Sequence, residues 1–556
     1  MGRLSHWIIL FWTAIAIGLR LYQLEAKPLW TDEVSTLAFS LGHGFTGVPL
    51  NQVLTADGLL QPLRVTTDTG PGDAAQAILA YSNHPPLFFA VMHLWLQATH
   101  HAGDYVSIGV ARSLSAIVGG LLTPLIYGLV RLLCGTRRPA YLAAAIAALC
   151  PFGIYLAQEA RHYTLALVWI TASLYGLVAA LQRMQQGKPL PIGLVVGWTL
   201  ANILGIATHY FTALALAAQV LVLVAMGVVW RQRYRHGGLG RLVGQLVLVG
   251  LGTAASAIPW LLALLAAPNQ DSLTQWIQSA WRWQDWLNPI THSVAGAVSM
   301  AYLLPVQGVP GAIAAGGAIT AVVVAIWSLG GWSERLGPPP RPTAERATVA
   351  RAVLWGVTLA SLLILLLASY LGQVGLAQTL RYHFIYLPAF VGMVAVGLAQ
   401  RWRSPYGRVL VVLALVVSAA GAFSVTHNLA YQKVHRPDIV VTEIAAKSDL
   451  GRPLLLATSH QSHGQTGRLM AIAWGLRTQH PELLQQSRFY LDPQPCPRSG
   501  EQNCGVAGTG VREAIASLQP GDVWLFNYEG RSRPAPRCRY QDTKRVDGYK
   551  ALHYRC

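Results

Sequence analysis

Long apolar runs separated by short polar loops make up most of the chain as far as about residue 430. Each run is close to the roughly 20 residues that an α-helix needs to cross a bilayer. The pattern therefore predicts a polytopic α-helical membrane protein with about eleven transmembrane helices. The predicted spans are 5–22, 113–133, 140–157, 163–181, 191–208, 211–230, 242–265, 310–330, 352–371, 384–400 and 408–426.

The hydrophobic pattern changes after about Arg436. The apolar runs 454–457 and 523–526 have the length of buried strands, and amphipathic segments alternate with them. We therefore expect two parts, a transmembrane catalytic domain at 1–430 that includes a long first loop at 23–111, and a small extracytoplasmic α/β domain at 437–556.

Cysteine usage adds a constraint on the C-terminal part. It contains four of the six cysteines, namely Cys496, Cys504, Cys538 and Cys556. An even number of cysteines in an extracytoplasmic domain predicts two disulfides, with three possible connectivities left open. Cys134 and Cys150 lie in the membrane part, where we expect inert buried thiols.

Composition supports the membrane interpretation. The chain has 556 residues, is 53% hydrophobic and only 12% charged, and its mean hydropathy is +0.40; soluble domains are nearer a quarter charged. The net charge of +18 is typical of nucleic-acid binding, but Lys and Arg cluster in alternate short loops between apolar spans. That distribution is typical of basic residues that set membrane topology, so we expect no nucleic-acid partner. It predicts a cytoplasmic N-terminus and an extracytoplasmic C-terminal domain, and we expect the first helix to be retained.

The other set of loops, predicted to lie outside, carries several polar clusters. Ionisable groups near bilayer depth are costly and commonly mark a pathway or a site. The clusters are Asp32-Glu33, Asn83-His84-Pro85-Pro86, Arg112, Gln158-Glu159-Ala160-Arg161-His162-Tyr163, Thr208-His209-Tyr210-Phe211 and Arg381-Tyr382-His383. Because all of them map to one membrane face, we expect them to form a single site.

The chemistry of sugar transfer suits these residues. A carboxylate such as Asp32 can accept the proton of an attacking hydroxyl or amine, and arginines can bind a departing phosphate bidentately. The alternative for Asp32-Glu33 is a helix start, in which Thr31 or Asp32 caps a helix beginning near Val34. His209 and His383 could ligate a metal with Glu159, but no spacing requires it, and satisfied polar residues at helix ends are the simpler interpretation.

The motifs Trp30-Thr31-Asp32-Glu33 and Asn83-His84-Pro85-Pro86-Leu87, followed by Arg112, resemble the protein O-mannosyltransferase pattern. The same layout is similar to that of the lipid A aminoarabinose transferases, and both groups belong to the GT-C superfamily of polyprenyl-phosphate-dependent glycosyltransferases. The resemblance covers about residues 1–430. Leu-Phe-Phe after Pro86 and a tail unlike a lumenal trefoil domain depart from the mannosyltransferase pattern.

The resemblance implies roles for individual residues. Asp32 would be the general base and Glu33 its neighbour in acceptor or metal binding. Substrate-binding residues would be His84 and Arg112 near the donor phosphate and, by looser similarity or by topology, Glu159, Arg161, Tyr163, His209, Arg381 and Tyr382. A divalent metal is a possible cofactor. The reaction implied is inverting transfer from a polyprenyl-phosphate sugar donor to a lipid, glycan or protein acceptor.

Two other classes of protein compete with the transferase. A transporter or flippase of a lipid-linked substrate would place ionisable residues at mid-membrane, commonly in repeated broken helices, whereas here they gather at one face. A structural membrane subunit would leave Asp32 dispensable. We favour the transferase, in contact with membrane lipids, in a bacterial plasma membrane.

Overall fold

We describe the protein from a computed structural model, which covers residues 3–231, 239–266, 285–330, 341–493, 508–528 and 534–556. Within these residues the chain forms two compact units. The membrane unit is built from Met1–Leu24, Arg112–Ala266 and Ile277–Tyr431, and the α/β unit from Glu25–Ala111 and Gln432–Cys556. The first loop, which we expected to belong to the membrane domain, is grouped here with the C-terminal part of the chain.

Apolar helices form the membrane unit and make this a multi-pass membrane protein. Nine described helices are long and apolar enough to cross a membrane, namely Leu4–Leu21, Ile108–Cys134, Tyr163–Gln186, Thr212–Trp230, Gly240–Ala263, Gly311–Gly330, Thr348–Gly372, Leu380–Arg401 and Pro405–Thr426. A tenth predicted span is a pair of helices, Arg137–Leu149 and Pro151–Ala157, bent by 50°. The eleventh, Ile192–Thr208, has only 17 residues. All eleven predicted spans are therefore helical. A further helix, Asn288–Ala301, lies outside the predicted spans.

The break in the bent pair has a clear local cause. Pro151 has no N–H group and disfavours a helical backbone at the residue before it, and Cys150 is accordingly non-helical, at φ −55° and ψ 110°. Carbonyl oxygens at the end of the first helix lose their helical partners. The guanidinium of Arg20 donates to two of them, the carbonyl oxygens of Ala147 at 3.0 Å and Ala148 at 3.1 Å.

A six-stranded sheet is the centre of the α/β unit. Its strands are β1 (Val53–Leu54), β2 (Leu454–His460), β3 (Ser487–Pro493), β4 (Asp522–Phe526), β5 (Arg539–Val546) and β6 (Tyr549–Arg555). They lie in the order β1-β3-β2-β4-β6-β5, and β3, β2 and β4 are parallel. Parallel strands are covered on both faces and read as continuous apolar runs, which explains the runs 454–457 and 523–526. The helices of this part are Pro437–Lys447, His463–Gln479, Pro481–Gln486 and Thr509–Leu518.

The first loop completes this unit. It contributes the helices Thr31–Ser40, Ala56–Leu60, Pro71–Tyr81 and Leu87–Thr99, together with β1. Strand β1 pairs with the edge of β3, with Val53 opposite Tyr490, and the Tyr490 hydroxyl donates to Asn51 Oδ1 at 2.7 Å. His93 Nδ1 lies 2.9 Å from the carbonyl oxygen of Ser40, which ties Leu87–Thr99 to Thr31–Ser40.

One disulfide is present among the described residues. It joins Cys538, just before β5, to Cys556 after β6, which is one of the two predicted disulfides. Cys496 and Cys504 lie outside the described residues. Cys134 and Cys150 are free thiols in the membrane unit, and Cys150 is buried.

Candidate functional site

Asp32 and Glu33 lie in the first turn of the helix Thr31–Ser40, which we call the Asp32 helix. Trp30 is its N-cap residue, in an extended conformation at φ −119° and ψ 168°, and no side chain caps the helix. The explanation of the acidic pair as a capping motif, with a helix beginning near Val34, is therefore wrong. Both carboxylates lie where the positive end of the helix dipole stabilises an anion. Glu33 is fully buried and Asp32 is partly buried.

Trp30, the residue before this helix, packs against Lys433 and His435. Its side chain is buried, the Lys433 ammonium lies 5.4 Å from its ring centroid, and the His435 ring lies 6.1 Å away. Lys433 is itself buried. An ammonium over the face of an indole is attracted by the ring quadrupole. Residues 433–435 thus fix the start of the Asp32 helix.

The helix His463–Gln479, which we call the His463 helix, packs directly on the Asp32 helix. A Cβ atom on Gly467 would lie 3.2 Å from Thr31 Cγ2, so the absence of a side chain there permits the close approach. The next residue is Arg468. Burial lowers the pKa of Arg468, while Tyr549 and the carboxylate of Asp32 raise it. Arg468 was not a sequence candidate, since no motif connects it to Asp32.

His84 and two further histidines lie in the same unit. His84 Nδ1 is 3.0 Å from the hydroxyl of Ser82. His463 stacks on Phe45, with ring centroids 5.3 Å apart. His460 Nε2 lies 3.0 Å from the hydroxyl of Thr466. Burial, with a smaller contribution from His463, lowers the pKa of His460 to about 4.

The membrane unit gathers the other candidates at breaks between its helices. Arg112 is fully buried in the first turns of Ile108–Cys134, and its Nη1 donates to the carbonyl oxygen of Leu24 at 2.5 Å. Glu159 and Arg161 are buried in the break between Pro151–Ala157 and Tyr163–Gln186. The Ser115 hydroxyl, one turn after Arg112, donates to the carbonyl oxygen of Arg161 at 3.0 Å. The structure therefore brings the Arg112 and Arg161 segments together.

An aromatic cluster joins three of the predicted segments. Its rings are His162, Tyr163, His209, Phe211, Tyr382 and Phe384. The closest pairs are His162 with His209, 4.4 Å between centroids, and Phe211 with Tyr382, 4.5 Å. Two arginines flank the cluster, with the guanidinium carbons of Arg161 and Arg381 each 5.8 Å from a tyrosine ring. Glu159, Arg161, Tyr163, His209, Arg381 and Tyr382 thus occupy one region of the membrane unit.

His383 is a buried structural residue. Its Nδ1 lies 2.8 Å from the Tyr386 hydroxyl and its Nε2 lies 2.8 Å from the carbonyl oxygen of Ala377, so both ring nitrogens have hydrogen-bond partners. Within the part of the chain that the structure describes, no group of three or more His, Cys, Asp or Glu side chains could hold a metal ion.

The ten candidates divide between the two units. Asp32, Glu33 and His84 belong to the α/β unit. The membrane unit contains Arg112, Glu159, Arg161, Tyr163, His209, Arg381 and Tyr382. The α/β unit holds the candidate proton acceptor, and the membrane unit holds the three candidate phosphate-binding arginines.

Comparison with solved structures identifies the fold. ArnT from Cupriavidus metallidurans, solved with undecaprenyl phosphate bound, is 12% identical and aligns over 99% of this chain and 98% of its own length, with a TM-score of 0.50. The oligosaccharyltransferase AglB from Archaeoglobus fulgidus, solved with an inhibitory peptide and a dolichol-phosphate, is 11% identical, with 94% and 69% of the two chains covered and a TM-score of 0.42.

Sequence comparison adds no relative, since neither a family model nor a characterised protein matches the chain. At 12% identity, the alignment with ArnT over nearly the whole of both chains shows a shared fold. The fold that the resemblance implied is therefore confirmed. This protein has the GT-C fold, with apolar membrane helices and a small C-terminal α/β sheet.

Proposed function

We propose that this protein is an integral membrane glycosyltransferase that transfers a sugar from a polyprenyl-phosphate donor to an acceptor on the extracytoplasmic face of a bacterial plasma membrane. The N-terminus would be cytoplasmic and the α/β unit extracytoplasmic, because the basic residues cluster in the alternate loops. The acceptor would be a lipid, a glycan or a protein.

The observation that carries the proposal is the burial of Arg112, Arg161 and Arg381 at helix breaks in the membrane unit. None of the three is more than 9% exposed. A guanidinium in a membrane protein is costly to bury, and such groups mark binding sites for charged substrates. Its planar fork suits a phosphate better than an ammonium does. A lipid phosphate is the anion that a membrane helix bundle would meet at this depth.

The reaction proposed is a single displacement. The acceptor oxygen or nitrogen attacks the anomeric carbon and gives its proton to the Asp32 carboxylate, so that a new glycosidic bond forms. The bond between the anomeric carbon and the phosphate oxygen breaks, and its electron pair leaves with the polyprenyl phosphate. Arg112, Arg161 and Arg381 stabilise that charge. One displacement of this kind inverts the configuration of the sugar.

The remaining candidates take supporting roles in the proposal. Glu33 lies beside the base and orients the acceptor, and His84 contacts the donor phosphate. Glu159 would orient Arg161 from the same helix break, and the aromatic cluster, including Tyr163, His209 and Tyr382, forms an apolar wall for the donor. Aromatic side chains such as tyrosine offer a large apolar surface together with a polar hydroxyl group.

Transfer of labelled sugar from polyprenyl-phosphate donors to membrane extracts tests the proposal directly. Wild-type protein should label an acceptor, and Asp32→Asn should lower the rate by about 10²- to 10⁴-fold, the range that general-base catalysis contributes. The matched control is Asp57→Asn, which removes an exposed carboxylate paired with Arg64 at 3.2 Å in the same unit.

The two variants decide between the outcomes. If the wild type and Asp57→Asn transfer sugar and only Asp32→Asn loses transfer, the result supports both the glycosyltransferase activity and Asp32 as its general base. Equal transfer by all three proteins would refute Asp32 as the base. No transfer from any polyprenyl-phosphate donor by correctly inserted wild-type protein would refute the glycosyltransferase.

A further inference from the structure

The Asp32 helix begins among residues from the C-terminal part of the chain. Lys433 and His435 contact Trp30, and the His463 helix approaches Thr31 through Gly467. The turn between β5 and β6 lies in the same region, because a Cβ atom on Gly548 would clash with His435 Cδ2. The proposed general base is therefore surrounded by segments more than 400 residues away in sequence.

Arg468 is held at two points in this region. Its Nη1 donates to the carbonyl oxygen of Gly548 at 3.3 Å, and its own carbonyl oxygen accepts a hydrogen bond from the Tyr549 hydroxyl at 3.3 Å. Its Nε is buried and makes no hydrogen bond within the described part of the chain. A buried donor of this kind is costly unless a charge nearby compensates it.

The backbone conformation of Gly548 positions the carbonyl oxygen to which Arg468 donates its hydrogen bond. Gly548 has φ +78°, a conformation that favours glycine, and the space beside it is filled by His435. Any other residue at position 548 would be strained, so the turn keeps one conformation and holds this carbonyl oxygen in place. This hydrogen bond ties the guanidinium to the turn between β5 and β6.

The packing of Gly467 on Thr31 places Arg468 beside the first turn of the Asp32 helix. Burial lowers the pKa of Arg468, and Tyr549 and then the Asp32 carboxylate act in the opposite direction. An arginine keeps its proton throughout the ordinary pH range. The interaction is therefore one between a permanent cation and the proposed base, across the contact between the His463 helix and the Asp32 helix.

We infer that Arg468 is a positioning residue for Asp32, and that it orients the carboxylate towards the acceptor. The inference rests on the proposed function in assigning Asp32 as the base. Because Arg468 acts through Asp32 and not on the substrate, its loss should lower kcat and leave KM nearly unchanged. A base displaced by about 1 Å can lose on the order of 10²-fold in rate.

The experiment compares Arg468→Ala, Arg468→Lys and the control Arg477→Ala in the full-length protein. Arg477 lies on the same helix, is exposed, and stacks over Tyr105 at 4.1 Å. We expect kcat to fall about 10²-fold in Arg468→Ala and less in Arg468→Lys, with KM within about twofold. Added guanidinium should restore part of the rate to Arg468→Ala, and Arg477→Ala should match wild type.

A second measurement does not depend on transfer. Thermal unfolding of Asp32→Asn, Arg468→Ala and the double variant forms a cycle, in which coupled side chains give shifts in Tm that do not add. We expect the double variant to unfold at nearly the temperature of the less stable single variant. Additive shifts would overturn the pairing of Arg468 with Asp32.

The kinetic results separate the inference from the proposed function. A kcat for Arg468→Ala within about threefold of wild type, or a loss confined to KM, would overturn the positioning role. A wild-type protein without transfer would refute the proposed function, and the thermal cycle would still decide whether the two side chains are coupled.

Discussion

The two units differ in how they handle charge. The sequence of the membrane unit contains 22 Lys and Arg residues but only 4 Asp and Glu residues. The α/β unit, residues 25–111 and 432–556 taken together, contains 19 Lys and Arg residues and 18 Asp and Glu residues. The whole net charge of +18 is therefore found in the membrane unit. Part of it lies in the loops that direct insertion, and part is buried as Arg20, Arg112, Arg161 and Arg381.

The α/β unit neutralises its charges locally. Arg436 pairs with Asp438 at 2.7 Å, Lys544 with Glu443 at 2.7 Å, and His553 with Asp522 at 2.7 Å. In the membrane unit, by contrast, Arg20 bonds only to backbone carbonyl oxygens, which leave its positive charge intact. The two units therefore differ in the sign balance of their charges, nearly even in the α/β unit and strongly positive in the membrane unit.

The largest effect is expected from removing a buried cation of the membrane unit. Arg112→Met should lower kcat/KM by about 10²- to 10³-fold, because the departing phosphate loses a preorganised donor. Arg20→Met, the matched control, should instead lower Tm, because it leaves the carbonyl oxygens of Ala147 and Ala148 without their donor. Transfer assays and thermal unfolding on both variants distinguish the roles. An equal loss of transfer in the two variants would contradict the assignment of Arg112 to the substrate.

The next effect concerns the packing that supports Asp32 in the α/β unit. Gly467→Val inserts a side chain where even a Cβ atom would lie 3.2 Å from Thr31, so it should displace the Asp32 helix and reduce transfer. Gly475→Val overpacks the same His463 helix against Val441, where a Cβ atom would lie 2.8 Å away. Both should lose about 1–3 kcal/mol of stability, but only Gly467→Val should reduce transfer per folded molecule. Similar activity in the two variants would show that the position of the Asp32 helix is not critical.

A smaller effect, confined to stability, is expected from the disulfide of the α/β unit. Cys538 and Cys556 enclose a short loop, with a sequence separation of 18, so the double replacement Cys538→Ala/Cys556→Ala should cost about 3 kcal/mol of unfolding free energy. Chemical denaturation with and without reductant measures it. The free thiol Cys134 provides the control, since Cys134→Ala leaves this loop unchanged. Unchanged stability in the double variant would mean that the crosslink does not constrain the unfolded chain.

The smallest effect is a pH dependence of stability in the α/β unit. The pKa of His460 is about 4, mainly because of burial, against about 6.5 in an unfolded chain. Between these two pH values the unfolded chain binds a proton on this ring and the folded protein does not. The free energy of unfolding is therefore highest above pH 6.5 and falls as the pH is lowered to about 4. The loss should be below about 3 kcal/mol, since the ring is partly exposed. His460→Asn should flatten the dependence of Tm on pH over this range. The control variant His480→Asn, which replaces a half-buried histidine 3.3 Å from Glu482, should retain that dependence.

The sequence predicted the membrane helices because their apolar runs are nearly continuous, and it predicted β2 and β4 for the same reason. It did not predict that the first loop joins the C-terminal sheet, since β1 has only the two residues Val53 and Leu54 and shows no alternation. The convergence of the Glu159, His209 and Arg381 segments followed from topology and is visible in the aromatic cluster. Arg468 could not be found, because only the packing of Gly467 on Thr31 brings it near Asp32.

The pairing of β1 with β3 has a consequence for biosynthesis. Asn51 and Tyr490, which are hydrogen-bonded in the finished protein, are 439 residues apart in sequence. At about 5–20 residues per second, the ribosome needs roughly 20–90 s to supply Tyr490 after Asn51. During that time the first loop has no strand with which to pair, and the Asp32 helix lacks the His463 helix. The segments that contain Arg112, Arg161 and Arg381 are therefore synthesised before the α/β unit can assemble, since its sheet is incomplete until β6 has been made.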